Sequence, residues 1–202
     1  MAKLIFKYST MNSGKTIDLI RTVHNYEENN YKVLVLKPII DTKGNDKIKT
    51  RVGLERKVDF LVKENDSIIE LLKTHLDDIE CIFVDEAQFL SQSQIDELFL
   101  ITKSVDIPVI CYGLRTNFKL ESFEGSRRLL EISDTLEEFK TLCYCGDIAR
   151  YAARKVDNNY VVEGSEILID DKNNVEYVPL CGKHYLENVT KIDLNKIKED
   201  LM

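Results

Sequence analysis

The sequence predicts an α/β protein, a mostly parallel sheet flanked by helices, followed by a small β-rich unit. Three observations carry that expectation. From residue 3 to about 133, short apolar runs alternate with helix-length amphipathic stretches, which is the pattern of βαβ units. The central runs are continuously apolar rather than alternating, so their strands should be buried on both faces, as in a parallel sheet covered by helices. After Thr135 the chain changes to short hairpin-like pieces with turn residues, bracketed by cysteines.

The elements follow in order. Leu4-Ile5-Phe6 reads as a first strand, 15–28 as a helix, Val33-Leu34-Val35-Leu36 as a second strand and 66–76 as a helix. Cys81-Ile82-Phe83-Val84 reads as a strand, 92–104 as a helix, Pro108 to Tyr112 as a strand, and Gly125 to Glu131 as a short helix. The turns Asp157-Asn158-Asn159, Glu163-Gly164-Ser165 and Asp170 to Asn174 punctuate the β-rich part. These signals divide the chain into an α/β domain over 1–138, a small domain over 139–190 and a tail over 191–202, either a short helix or a frayed end.

Composition narrows the functional classes. The 202 residues are 44% hydrophobic and 31% charged, enough for a sizeable core and a solvated surface. A formal net charge of -7 argues against a protein that grips nucleic acid by counterion release. No apolar run approaches the roughly 18–20 residues that span a bilayer. Met1 to Tyr8 lacks the apolar stretch and small-residue site of a signal peptide, so a cytoplasmic protein with reduced thiols is expected.

The first strand runs into Ser9-Thr10-Met11-Asn12-Ser13-Gly14-Lys15-Thr16, which opens the first helix. This is a Walker A loop with Ser9 in place of the first glycine. In such a loop backbone N–H groups and the helix N-terminus wrap phosphates, Lys15 neutralises the β/γ oxygens, and the Thr16 hydroxyl reaches Mg2+. A strand before and a helix after separate this reading from a plain helix cap. Further on, the apolar strand Cys81 to Val84 ends in Asp85-Glu86. An Asp there holds Mg2+ in phosphate-loop proteins, and Glu86 would lie where a carboxylate can take a proton from an attacking hydroxyl. These motifs alone fit both an ATPase that activates water and a kinase that activates a substrate hydroxyl.

Four segments in order resemble a bacterial thymidine kinase of the cytosolic, type II class: Tyr8 to Thr16, Val84-Asp85-Glu86-Ala87-Gln88-Phe89-Leu90, Cys111 to Phe118, and the late cysteines with a histidine. The resemblance runs from about Lys3 to Tyr185. It implies ATP-dependent phosphorylation of the 5′-hydroxyl of thymidine, and of deoxyuridine, in deoxynucleotide salvage by a homotetramer with dTTP as feedback inhibitor. It assigns Glu86 as general base. ATP and Mg2+ fall to Ser9, Thr10, Met11, Asn12, Ser13, Gly14, Lys15, Thr16, Asp85 and Gln88. Met11, Phe89, Leu114, Phe118 and Phe123 would line the thymine pocket, and Tyr177 would belong to a lasso loop over the substrate; composition alone would make the apolar ones core. Two departures stand out. Asp170-Asp171 occupies the place of Gly-Gly in the lasso, and Lys43 replaces an arginine in the loop after the second strand, a point charge for a bidentate fork.

Cys143-Tyr144-Cys145 and, after 35 residues, Cys181-Gly182-Lys183-His184 supply three thiolates and an imidazole on two short knuckles. Tetrahedral Zn2+ accepts that set, and a complete shell leaves no position for chemistry, so a structural zinc is expected in a unit too small to bury much core. Cys81 and Cys111 read as buried strand thiols. Two rival classes, a zinc-containing ATPase acting on nucleic acid and a non-catalytic nucleotide sensor, find little support: the charge balance opposes the first, and the second leaves Glu86 idle.

Overall fold

The computed structural model describes residues 1–41, 44–164 and 175–202. Lys43, Ser165 and Asp170-Asp171 lie outside the described residues. The chain divides into two compact units. The first comprises Met1–Tyr8, Gly14–Arg115 and Ser122–Phe139; the second comprises Ser9–Ser13, Thr116–Glu121 and Lys140–Met202.

The first unit begins with β1 (Leu4–Ser9), α1 (Lys15–Glu28) and β2 (Lys32–Pro38). Three short strands follow, β3 (Lys47–Lys49), β4 (Glu55–Lys57) and β5 (Phe60–Val62), and then α2 (Ile68–Leu72). The remainder is β6 (Ile79–Val84), a 3-10 turn at Ala87–Phe89, α3 (Gln92–Ser104), β7 (Val109–Leu114), α4 (Glu124–Ile132) and β8 (Thr135–Glu138). The main sheet has the order β5-β2-β6-β7-β1-β8. The pairs β2/β5, β2/β6, β6/β7 and β1/β8 are parallel. The mostly parallel, helix-flanked sheet expected from the sequence is therefore present.

The continuous apolar runs explain the layering. Along β6, Ile82 and Val84 join a cluster with Leu4, Phe6, Ile95, Leu98 and Leu129. Their neighbours Cys81 and Phe83 join another with Leu19, Val23, Val35 and Tyr112. Alternate side chains of one strand thus feed two cores, one on each face. Of the helices, α3 carries its start signal in sequence, because Ser91 and Gln94 form a reciprocal capping box. Only α2 departs much from expectation. It is a five-residue helix capped by Ser67, not a helix over 66–76, because Lys73 to His75 turn out of it and Asp78 takes a positive φ of 62° before β6.

The second unit holds β9 (Thr141–Leu142), β10 (Ile148–Ala149), β11 (Tyr151–Val156), β12 (Asn159–Val161) and β13 (Val175–Leu180). It closes with α5 (Gly182–Tyr185), a single π turn at Leu186–Thr190, and α6 (Leu194–Leu201), the helix formed by the tail. β11 pairs antiparallel with both β12 and β13. Its small core contains Cys143, Ala149, Ala153, Leu180, Cys181, Tyr185 and Val189.

Candidate active site and metal centre

Sheet order brings the functional segments of the first unit together. Because β6, β7 and β1 are neighbours, the carboxyl ends of β6 and β7 and the start of α1 share one edge, the place where open α/β sheets bind ligands. The loop leaving β1 has the backbone of an anion cradle: Asn12 has φ 61° and Gly14, the N-cap of α1, has φ 83° with no side chain to cap the first turn. A left-handed cap favours glycine, and space alone would admit a larger residue, since nothing lies within 4 Å of a Cβ built there. Ser9 and Thr10 are buried, and the Ser9 and Ser13 hydroxyls lie 2.5 Å apart.

The first turn of α1 is tied to the sheet through Asp18. Lys7 Nζ on β1 lies 3.2 Å from its Oδ2, and the Tyr112 hydroxyl on β7 donates to the same oxygen at 2.9 Å. The helix that carries Lys15 and Thr16 therefore has a polar anchor besides its apolar face. Burial lowers the pKa of the Lys15 ammonium, and the carboxylates of Glu86 and Asp85 pull it back up. Those two acids therefore stand within electrostatic reach of the phosphate-loop lysine.

Asp85 is 5% exposed, and its N–H donates to Leu36 O on the neighbouring strand at 2.9 Å. Burial, then repulsion from Glu86 and Asp41, pushes its carboxyl up to about 8. A set of crowded acids with one carboxyl forced toward its neutral form fits a divalent cation, which relieves the repulsion. Glu86 has left-handed backbone angles, φ 48° and ψ 39°, a strained choice for a non-glycine residue. Its Oε2 accepts a hydrogen bond from Gln88 Nε2 at 2.5 Å, and Gln88 Oε1 accepts from the Leu114 N–H at 3.1 Å. Phe89 and Phe123 pack edge-to-face with centroids 5.7 Å apart.

Two glycines and a serine that the sequence reading did not single out shape this region. A Cβ on Gly113 would lie 2.8 Å from Gln88 Oε1, and a Cβ on Gly125 would lie 2.6 Å from both Ala87 O and Leu90 O. Ser126 Oγ donates to Leu114 O at 2.5 Å. The available signal was a glycine inside an apolar strand and another in the first turn of a helix, each a mark of close backbone approach.

In the second unit, Met11 belongs to the segment Ser9–Ser13, and Phe118 is buried beneath the Arg154 guanidinium, 3.7 Å from its ring centroid. The Tyr185 hydroxyl donates to Phe118 O at 2.6 Å. Tyr177, half-buried on β13, stands opposite Arg154. Cys143, Cys145, Cys181 and His184 converge, with ligand atoms all within 4.8 Å of one another. Cys145 Sγ is 3.9 Å from Cys181 Sγ, and His184 Nδ1 is 3.3 and 3.4 Å from the sulfurs of Cys143 and Cys181. Tetrahedral ligands at about 2.3 Å from zinc stand roughly 3.8 Å apart, so the set could bind that ion. Gly146, at φ 89°, makes the knuckle turn, its N–H donating to Cys143 O at 2.9 Å.

Residues 2–185 match the family profile described as Thymidine kinase. The chain belongs to the thymidine kinase family. It is 42% identical over 193 residues to a thymidine kinase of Pasteurella multocida, covering 94% of this chain and 99% of that one. It is 43% identical over 196 residues to that of Enterobacteria phage T4, covering 95% and 100%, and 39% identical over 196 residues to that of Francisella tularensis subsp. holarctica, covering 94% and 99%. Membership of the thymidine kinase family makes this an ATP-dependent kinase, a transferase, and the bacterial relatives agree with the resemblance seen in the motifs. No helix among the described residues is long and apolar enough to cross a membrane.

Proposed function

We propose that the chain transfers the γ-phosphoryl group of ATP to the 5′-hydroxyl of thymidine, giving dTMP and ADP, with Glu86 as general base. The observation that carries this reading is the grouping of Asp85 and Glu86 with Lys15 at one edge of the sheet. Backbone N–H groups of the loop at 9–16 bind the phosphates, and Lys15 meets the charge that develops on the transferred group. Glu86 accepts the proton of the 5′-hydroxyl as its oxygen attacks the γ-phosphorus and the bond to the β-phosphate oxygen breaks. Thr16 and Asp85 would hold Mg2+, which when bound neutralises β- and γ-phosphate charge. The motif resemblance supports base-binding roles for Met11, Phe89, Leu114, Phe118 and Phe123 and a substrate-covering role for Tyr177. Cys143, Cys145, Cys181 and His184 would hold a structural Zn2+. The same resemblance supports dTTP as feedback inhibitor, a homotetramer and a cytoplasmic setting.

Incubation with Mg-ATP and a panel of nucleosides tests the proposal. Thymidine monophosphate should form at the expense of ATP. ATP hydrolysis stimulated by DNA, with no nucleoside monophosphate formed, would overturn it.

A further inference from the structure

We propose that Gln88 is a positioning residue, whose side-chain amide holds the Glu86 carboxylate in the orientation that meets the attacking hydroxyl. This rests on Glu86 being the base. The amide of a glutamine can present either end, but here its orientation is dictated by chemistry. A backbone N–H can only donate, so the atom facing Leu114 N is Oε1, at 3.1 Å; the other end is then Nε2, a donor, and it faces Glu86 Oε2 at 2.5 Å. Gln88 is 2% exposed, while its two partners Glu86 and Leu114 are half-buried, so the amide bridges the interior to the open end of the site.

Leu114 is itself held, since its carbonyl accepts from Ser126 Oγ at 2.5 Å. The room for the amide exists because residue 113 lacks a side chain: a Cβ there would stand 2.8 Å from Gln88 Oε1, 3.2 Å from Gln88 N and 3.3 Å from the Phe6 ring. On the other side, the left-handed backbone at Glu86 and the Phe89 N–H bond to Glu86 O at 3.1 Å close a tight turn, bringing the two side chains face to face. The motif resemblance places Gln88 with ATP. In this geometry both polar atoms of its amide are engaged inside the first unit, and its effect on the reaction runs through Glu86.

Two substitutions separate this role from packing. Gln88→Glu keeps the shape and an acceptor for the Leu114 N–H but replaces the donor toward Glu86; Gln88→Met keeps the length and removes both. Each should lower kcat by about 10–100-fold while KM for ATP and thymidine stays within roughly threefold, the pattern of a misaimed base. Placed in a Glu86→Gln background, Gln88→Met should change kcat by less than about threefold, because both act through one carboxylate. Normal kcat in Gln88→Glu overturns the inference, as does a full multiplicative loss in the double variant. If Glu86→Gln alone retains kcat, the assignment of the base fails instead, a separate and distinguishable result.

Discussion

Replacing Gly125 with alanine perturbs the site without touching any side chain that meets substrate. Gly125 lies in the first turn of α4, against the turn that carries Gln88 and Phe89. An added Cβ would come within 2.6 Å of Ala87 O and Leu90 O and 3.1 Å of Gln88 O, all backbone atoms that cannot rotate away. Ordinary contact begins near 3.4 Å, so helix and turn must separate by about 0.8 Å. Overpacking of this kind costs typically 1–3 kcal/mol. The same displacement carries Ser126 away from Leu114, and with it the acceptor geometry of Gln88. A shift approaching 1 Å beside a reacting group costs up to about 10²-fold in rate. Urea denaturation should therefore show a lower midpoint with unchanged m, and steady-state kinetics a lower kcat with ATP binding largely retained. A variant with the wild-type midpoint and kcat would show that the close approach of α4 to the turn has no bearing on either stability or the site.

Other outcomes follow from separate parts of the structure. Native alkylation should spare Cys81 and Cys111, both 0% exposed and with burial raising their thiol pKa values, Cys81's to about 12; a chelator should add Cys143, Cys145 and Cys181 to the reactive set by mass spectrometry, and unchanged reactivity would refute metal ligation. The Asp134 carboxyl is held below its usual range by Lys103, at 2.6 Å, and by the Leu4 N–H, at 2.7 Å. Its contribution is thus present above the unfolded value of about 3.9 and lost as pH falls through the folded one. Asp134→Asn should be less stable near neutrality by at most about 1 kcal/mol, with the gap closing in acid, and a gap that widens in acid would contradict the sign. In the nucleoside panel, deoxyuridine should react more poorly than thymidine, since one methyl is worth about 1–3 kcal/mol in discrimination, and purine nucleosides should fail. Efficient deoxyadenosine phosphorylation would sink the pocket assignment.

What could be read in the sequence was what depends on local pattern. α1 and α3 have amphipathic periodicity, and β6 announces its double-sided burial in four consecutive apolar residues. β5 and β8 carried too little signal, being three and four residues long at the sheet's edges, and the exposed Leu136 with Glu137 and Glu138 gives β8 no apolar run. The motifs marked Lys15, Asp85 and Glu86 because phosphate chemistry needs those groups at strand ends. They gave no role to Gly113, which lies inside one of them, or to Gly125 and Ser126; the importance of all three lies in what stands opposite them after folding. The bond between Gln88 and Glu86 was equally hidden. It requires a positive φ at an acidic residue and an anchor at Leu114, 26 positions away along the chain.

The most direct test of the account is the rate of dTMP formation by Glu86→Gln under saturating Mg-ATP and thymidine. With Glu86 as the base, kcat should fall by about 10²–10⁴-fold while ATP affinity is preserved. A kcat near that of the unmodified protein would place the base elsewhere and contradict the mechanism.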